Sequence, residues 1–150
     1  MNVLSSRRMT ADEFERLPDT KGFELIDGRV KDKGGSALAS HLGGELSYHL
    51  WTWARSSGQG AVFGPDCPYR CFPARPDTVR KPSVSFVRWD RMPDGRIPID
   101  SFSIRPDFAG LVVPPQDSAV ELQVRLADYR VALIPLVWVV HSIARAVTEY

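Results

Sequence analysis

Three groups of side chains in this 150-residue chain have types and spacings that could do chemistry. His41, Glu45 and His49 recur every four residues, which on a helix stacks them on one face as a possible metal-ligating row. No other ligand cluster meets them, so a helix flank with a charge-paired histidine is the expectation. Cys67 and Cys71 form a lone Cys-x3-Cys pair. Zinc wants four ligands, no second pair is present, and His41, His49 and His141 stand at no suggestive spacing, so two ordinary thiols on a strand are expected. The third group is basic. Residues 70–105 carry Arg70, Arg75, Arg80, Lys81, Arg88, Arg91, Arg96 and Arg105 against only four acids. Such a segment can contact the phosphates of double-stranded DNA, with Arg80, Lys81, Arg88 and Arg91 the candidates. Solvated arginines in a loop-rich region would give the same composition.

The frame around these groups is ordinary. Hydrophobic residues are 43% and charged residues 25%, which excludes a wholly disordered, collagen-like or coiled-coil chain. The 19 basic and 18 acidic residues leave a net charge of +1, so no global field advertises nucleic acid or membrane. The length makes room for one domain. The N-terminus has no apolar signal core, and the longest apolar run, Val131–Val140, is broken by Pro135 and is about half of a membrane span. A cytoplasmic protein without a membrane partner is expected.

The elements that must position these residues are legible in outline. Thr10-Ala11-Asp12-Glu13 is a capping box that opens a short helix carrying Phe14 and Leu17 inward, stopped by Pro18. Phe23–Ile26 reads as a strand, Asp27-Gly28 as a two-residue hairpin turn, and Arg29–Lys31 as the returning strand. Ser36–Ser56 is the longest helical stretch, with Leu38, Leu42, Leu46, Leu50 and Trp53 as an inward stripe. Short strands are expected at Ala61–Phe63, Tyr69–Phe72 and Val84–Val87, then an excursion over 90–106. Phe108–Val113 has the continuous apolar character of a buried central strand. Asp117 or Ser118 caps a helix to about Val131, with Val120, Val124, Ala127 and Val131 on one face. Leu136–Val140 and Ala146–Tyr150 read as a closing hairpin. This order predicts an α/β or α+β sheet with helices on both faces.

Several blocks are similar to one known family. Met9-Thr10-Ala11-Asp12-Glu13-Phe14 through Leu17-Pro18, followed by Phe23-Glu24-Leu25-Ile26-Asp27-Gly28, resembles the opening of the Uma-type putative restriction endonuclease family of the PD-(D/E)XK nuclease superfamily. The resemblance continues through Val79–Val87, Arg105-Pro106-Asp107-Phe108, Ser118–Tyr129 and Leu136-Val137-Trp138-Val139-Val140. It implies a restriction endonuclease-like fold, a mixed central sheet flanked by helices. Residues 1–150 then form a single domain that lacks the family's C-terminal end.

The family's chemistry is phosphodiester hydrolysis. Carboxylates hold one or two Mg²⁺ ions against the phosphate and acidify a bound water, and a lysine adds positive charge beside them. Carried over position by position, the resemblance keeps Glu24 as the first glutamate and the only metal ligand. Ser83 stands where the Pro-Asp-Val strand has its aspartate, Leu111 where a Val-Glu-Val strand has its glutamate, and Arg125 where the helix has its lysine. Serine ligates Mg²⁺ poorly, leucine offers no oxygen, and a guanidinium cannot act as a base. The nearby acids do not repair the loss: Asp107 lies roughly 13 Å along the strand from Leu111, Asp117 suits a helix cap, and Glu121 can pair with Arg125 at i,i+4. Leu133 occupies the family's helix-closing glycine position, where positive φ is wanted, and His141 the position of an aspartate.

The expectation is therefore a catalytically inactive nuclease-fold protein with no cofactor. One alternative is an active Mg²⁺-dependent endonuclease with relocated ligands. Another is a vestigial or protein-interaction module. A homodimer is expected only by analogy with nucleases that cut two strands.

Overall fold

A computed structural model describes residues 7–150. The elements in chain order are α1 (Ala11–Glu15), β1 (Phe23–Ile26), β2 (Arg29–Asp32), α2 (Ala37–Ser57), β3 (Gly60–Phe63), β4 (Val84–Arg88), β5 (Phe108–Val113), α3 (Ala119–Val131), β6 (Val137–His141) and β7 (Ala146–Glu149). The last five strands form one sheet in the order β3-β4-β5-β6-β7. Its pairs are antiparallel except β5 with β6. A parallel pair needs a crossover, and α3 supplies it. The mixed α+β sheet expected from the sequence is present.

Local chemistry sets the element ends. Thr10 Oγ1 accepts the N–H of Glu13, and the Glu13 carboxylate accepts the N–H of Thr10, closing the capping box of α1. Ser36 and Ser118 cap α2 and α3 by accepting the N–H of Ala39 and Glu121. The cap of α3 is thus Ser118 and not Asp117. Asp27 and Gly28 both have positive φ, as the β1–β2 turn requires.

The two faces of the sheet are covered differently. On one face α3 packs Leu126 and Tyr129 against Ala109, Leu111, Val137 and Val139. Each large side chain buried this way contributes about 1.5–3 kcal/mol. On the other face α2 meets Val84, Phe86, Phe108 and Trp138 through Leu46, Leu50 and Ala54. Gly110 lets α2 come close: a Cβ there would lie 2.9 Å from Leu46 Cδ2 and 2.7 Å from Val84 Cγ1. The α1 helix, the β1–β2 hairpin and Val79 form a separate small core of Ala11, Phe14, Leu25 and Val79. It joins the rest through the backbone pair Leu25–Val79.

Three expectations are corrected. Tyr69–Phe72 is not a strand; Tyr69 makes only isolated bridges to Arg80 and Phe102, because the proline-rich connection wraps over the sheet instead of extending it. The stripe Val120, Val124, Ala127, Val131 of α3 faces solvent, and the parallel stripe Leu122, Leu126, Tyr129 is the one packed inward. On α2, Leu38 and Trp53 remain largely exposed, so the inward stripe is covered only at its centre.

Candidate functional site

Alternation along β1 sends Leu25 into the small core and Glu24 the other way, toward α3. Glu24 is 1% exposed. Its Oε1 accepts the backbone N–H of Lys81 at 2.7 Å. Its Oε2 accepts from Arg80 Nη1 at 3.0 Å and from Arg125 Nη2 at 3.4 Å. The rest of the Arg80 guanidinium grips Asp128 Oδ2, with Nε at 2.9 Å and Nη2 at 2.5 Å. Arg75 bonds the other oxygen of Asp128 and also holds Asp27 at 2.6 and 2.7 Å. The Arg75 guanidinium beside Asp27 holds that carboxyl below its ordinary range, chiefly by the hydrogen bond. Glu24, Asp128 and Asp27 thus alternate with Arg125, Arg80 and Arg75. Such a network adds little net stability over an apolar core, but removing one member leaves an uncompensated buried charge.

The structure brings the four positions picked from the sequence together. Arg125 touches Glu24. Ser83 Oγ accepts the N–H of Val112 at 3.0 Å, which seats it beside Leu111 on the neighbouring strand. Leu111 is 1% exposed and lies in the apolar cluster with Leu126 and Tyr129 of α3. Two buried groups on this flank of α3, one helical turn apart, have no hydrogen-bond partner: Arg125 Nε and Tyr129 Oη. Burial opposes the charge of Arg125, yet Glu24, with Tyr129, Asp117 and Glu121 beyond it, holds its pKa above the ordinary arginine value. Arg125 pairs with Glu24 and not with Glu121, as the helix spacing had suggested.

Beside Arg125 opens a cleft of about 350 Å³ between the start of α2 and the ends of β4 and β5. Lys33, Lys81 and Arg125 are its charged lining residues; Ser36, Ser40, Ser47 and Ser83 bring hydroxyls, and no acid lines it. Lys33 Nζ donates to the carbonyl of Pro65, and Lys81 Nζ to the carbonyl and hydroxyl of Thr20. Burial lowers the pKa of both lysines, against the pull of Glu24 and Asp66. No pattern in the sequence points to Lys33, which sits just before the glycine pair Gly34-Gly35. Asp128 was equally silent, because its partners Arg80 and Arg75 lie 48 and 53 residues away.

The remaining candidates fall elsewhere. His41, Glu45 and His49 line the exposed side of α2. Among the described residues no group of three or more His, Cys, Asp and Glu side chains is placed to hold a metal ion. Cys67 and Cys71 are free, half-buried in the connection rather than on a strand, and burial pushes both thiols up to about 11. The basic segment is largely paired. Arg70 holds Asp12 and Glu15, Arg88 holds Asp90, and Arg91 holds Asp107 and the Arg105 carbonyl. Arg80 and Lys81 are each 2% exposed; Arg80 is paired with Glu24 and Asp128, and Lys81 lines the cleft. Asp107, which also accepts the N–H of Arg88, is a loop anchor at the start of β5.

A family model described as Uma2, putative restriction endonuclease, matches residues 11–150. The chain belongs to this family. Among solved structures, it is similar to a putative nuclease belonging to DUF820 from Anabaena variabilis ATCC 29413. The TM-score is 0.70 at 19% identity, over 95% of this chain and 84% of that one. That likeness shows a shared fold. No curated protein matches the chain. Among the described residues no helix is long and apolar enough to cross a membrane.

Proposed function

We propose that this member of the restriction endonuclease family keeps the nuclease fold but does not cleave DNA by a metal-dependent route. The observation that carries this reading is the state of Glu24. Both of its oxygens are engaged, one by the Lys81 N–H and the other by two arginines. A divalent ion here would have to displace guanidinium groups from a buried carboxylate. It would gain no second carboxylate, because Ser83 is committed to the Val112 N–H and Leu111 has no oxygen. Mg²⁺ keeps its waters unless carboxylates and phosphates hold it, so this donor set does not fit the ion. Arg125 keeps a positive charge beside the old centre but cannot take a proton from water.

Supercoiled plasmid incubated with the protein and Mg²⁺ or Mn²⁺ is the test. No nicking is expected. Nicking that vanishes in Glu24→Ala would overturn the reading and restore an active enzyme with relocated ligands. The converse test is restoration: Ser83→Asp, Leu111→Glu and Arg125→Lys together are expected to create metal-dependent cleavage. A folded triple variant without cleavage would show that these are not the missing catalytic groups.

A further inference from the structure

The helix α2 packs on the sheet through one face only. Leu46, Leu50 and Ala54 point inward. On the opposite face Ala37, His41, Gly44, Tyr48, Trp51 and Arg55 recur at alternating steps of four and three residues, and all of them are exposed. That is the spacing of a seam between two paired helices. We propose that this face pairs antiparallel with the same face of a second copy of the chain, with Arg55 of each copy beside Glu45 of the other. The proposal does not depend on whether the chain cleaves DNA.

The first argument is size. The face is small at its N-terminal end, at Ala37 and Gly44, and large at its C-terminal end, where Tyr48 is 63% and Trp51 48% exposed. A two-fold contact must be complementary to itself. Parallel pairing would set bulk against bulk and leave the small ends apart. Antiparallel pairing about the level of Leu46 sets Tyr48 over Gly44 of the second copy, Trp51 over His41 and Arg55 over Ala37. A glycine inside a helix costs stability relative to alanine. At Gly44, on the rim of the cleft, an added Cβ would meet nothing within 4 Å, so no contact within the chain calls for it. Beneath an aromatic ring of a second helix, the missing side chain lets the two backbones approach.

The second argument is charge. Glu45 and Arg55 carry the formal charges of α2, histidines apart. Among the described residues neither is in an ion pair. The Arg55 guanidinium instead lies over its own Trp51 ring, 4.5 Å from the centroid. It is thereby carried back one turn toward the N-terminus of its helix, level in this register with His41 and Glu45 of the second copy. An arginine already stacked on a ring offers its edge to a carboxylate with less freedom left to lose. Symmetry makes the contact twice. A parallel pair would oppose Glu45 to Glu45 and Arg55 to Arg55.

The third argument sets the strength. Tyr48 and Trp51, about half in water, each offer on the order of 100 Å². With Arg55 and the small residues opposite, two copies reach only the low end of specific interfaces, about 1,200 Å² in total. The dimer is therefore reversible rather than obligate.

The test is sedimentation velocity over a concentration series, with far-UV circular dichroism as the check on folding. The wild-type chain is expected to pass reversibly from monomer to dimer as its concentration rises. Glu45→Arg and Arg55→Glu each set like charges together twice, and each is expected to weaken self-association at least about tenfold. Mixed in equal amounts, the two single variants are expected to recover dimers, because each copy then meets opposite charges at both contacts. The double variant is expected to recover them alone. Glu45→Gln and Tyr48→Ser, milder changes at exposed positions, are expected to weaken association by a smaller factor, and they serve if a reversed charge unfolds the helix. A wild-type chain that stays at 16.8 kDa up to about 1 mM overturns the proposal. So does a dimer of unchanged strength in both single variants, which assigns the contact elsewhere, as to the groove of Leu50, Trp53 and Trp138 on another flank of α2. Single variants that stay monomeric when mixed overturn the antiparallel register.

Discussion

Two regions share the wall formed by Arg125, and they treat charge in opposite ways. On the Glu24 side, buried acids and arginines alternate and nearly every polar atom is satisfied. On the cleft side, Lys33 and Lys81 donate to the neutral oxygens of Pro65 and Thr20. A closed network of this kind is chemically quiet: it holds the hairpin, the connection and α3 together and leaves nothing free to react. The cleft is lined by Lys33, Lys81 and Arg125, with no acid among its lining residues. On the proposed reading, the site loses catalysis without collapsing. The substituted positions do not leave a void; Arg80 and Arg125 fill the role of counter-charge to the remaining carboxylate.

The sharpest way to break this contrast is Asp128→Ala. It strands Arg75 and Arg80 and is expected to cost about 3–5 kcal/mol in urea denaturation, the usual penalty for opening a buried pair. A cost below about 1 kcal/mol, as for a surface pair, would mean that the network is not closed.

A second comparison sits within one apolar cluster. Leu111→Glu and Val139→Glu both bury a carboxylate in the cluster that holds Leu126 and Tyr129, but the family resemblance places an acid at Leu111, beside the position of Arg125, and none at Val139. Leu111→Glu is therefore expected to be less destabilising, by at least about 1 kcal/mol for a hydrogen bond gained from Arg125. Equal losses in thermal unfolding would contradict that placement.

Leu133 gives a smaller effect. It closes α3 with φ at 58°, a left-handed conformation, and its side chain is 71% exposed. Leu133→Gly is expected to stabilise the protein by about 1 kcal/mol, because the Cβ penalty disappears and little packing is lost. A lowered melting temperature would contradict this.

The smallest effects are titrations. Lys33 and Lys81 have pKa values lowered by burial, so between the folded and the unfolded lysine pKa the unfolded chain binds more protons. Stability from these groups rises with pH across that window, which lies below the ordinary lysine value. The half-buried thiols, at about 11, are expected to react slowly with iodoacetamide at pH 8.

The sequence carried local structure well. The capping box, the Asp27-Gly28 turn, β5 and the closing hairpin all depend on neighbours within a few residues, and they are where their residue types require. It carried sidedness poorly. On α3 the stripes Val120–Val131 and Leu122–Tyr129 both satisfy a helical period, and only packing against β5 and β6 decides between them. The candidate site was legible as positions and not as interactions. Glu24, Ser83, Leu111 and Arg125 converge, but Arg80 reads in sequence as a surface cation and becomes the central clamp only because Glu24 and Asp128 lie 56 and 48 residues away. Lys33 had no pattern to announce it.

The most direct measurement of the central claim is the nicking of supercoiled plasmid in Mg²⁺ or Mn²⁺, with the wild-type protein beside Glu24→Ala. The account predicts that both leave the plasmid intact. Nicking by the wild-type protein that is lost in Glu24→Ala would contradict it, because Glu24 would then be a working metal ligand and not the captive partner of Arg80 and Arg125.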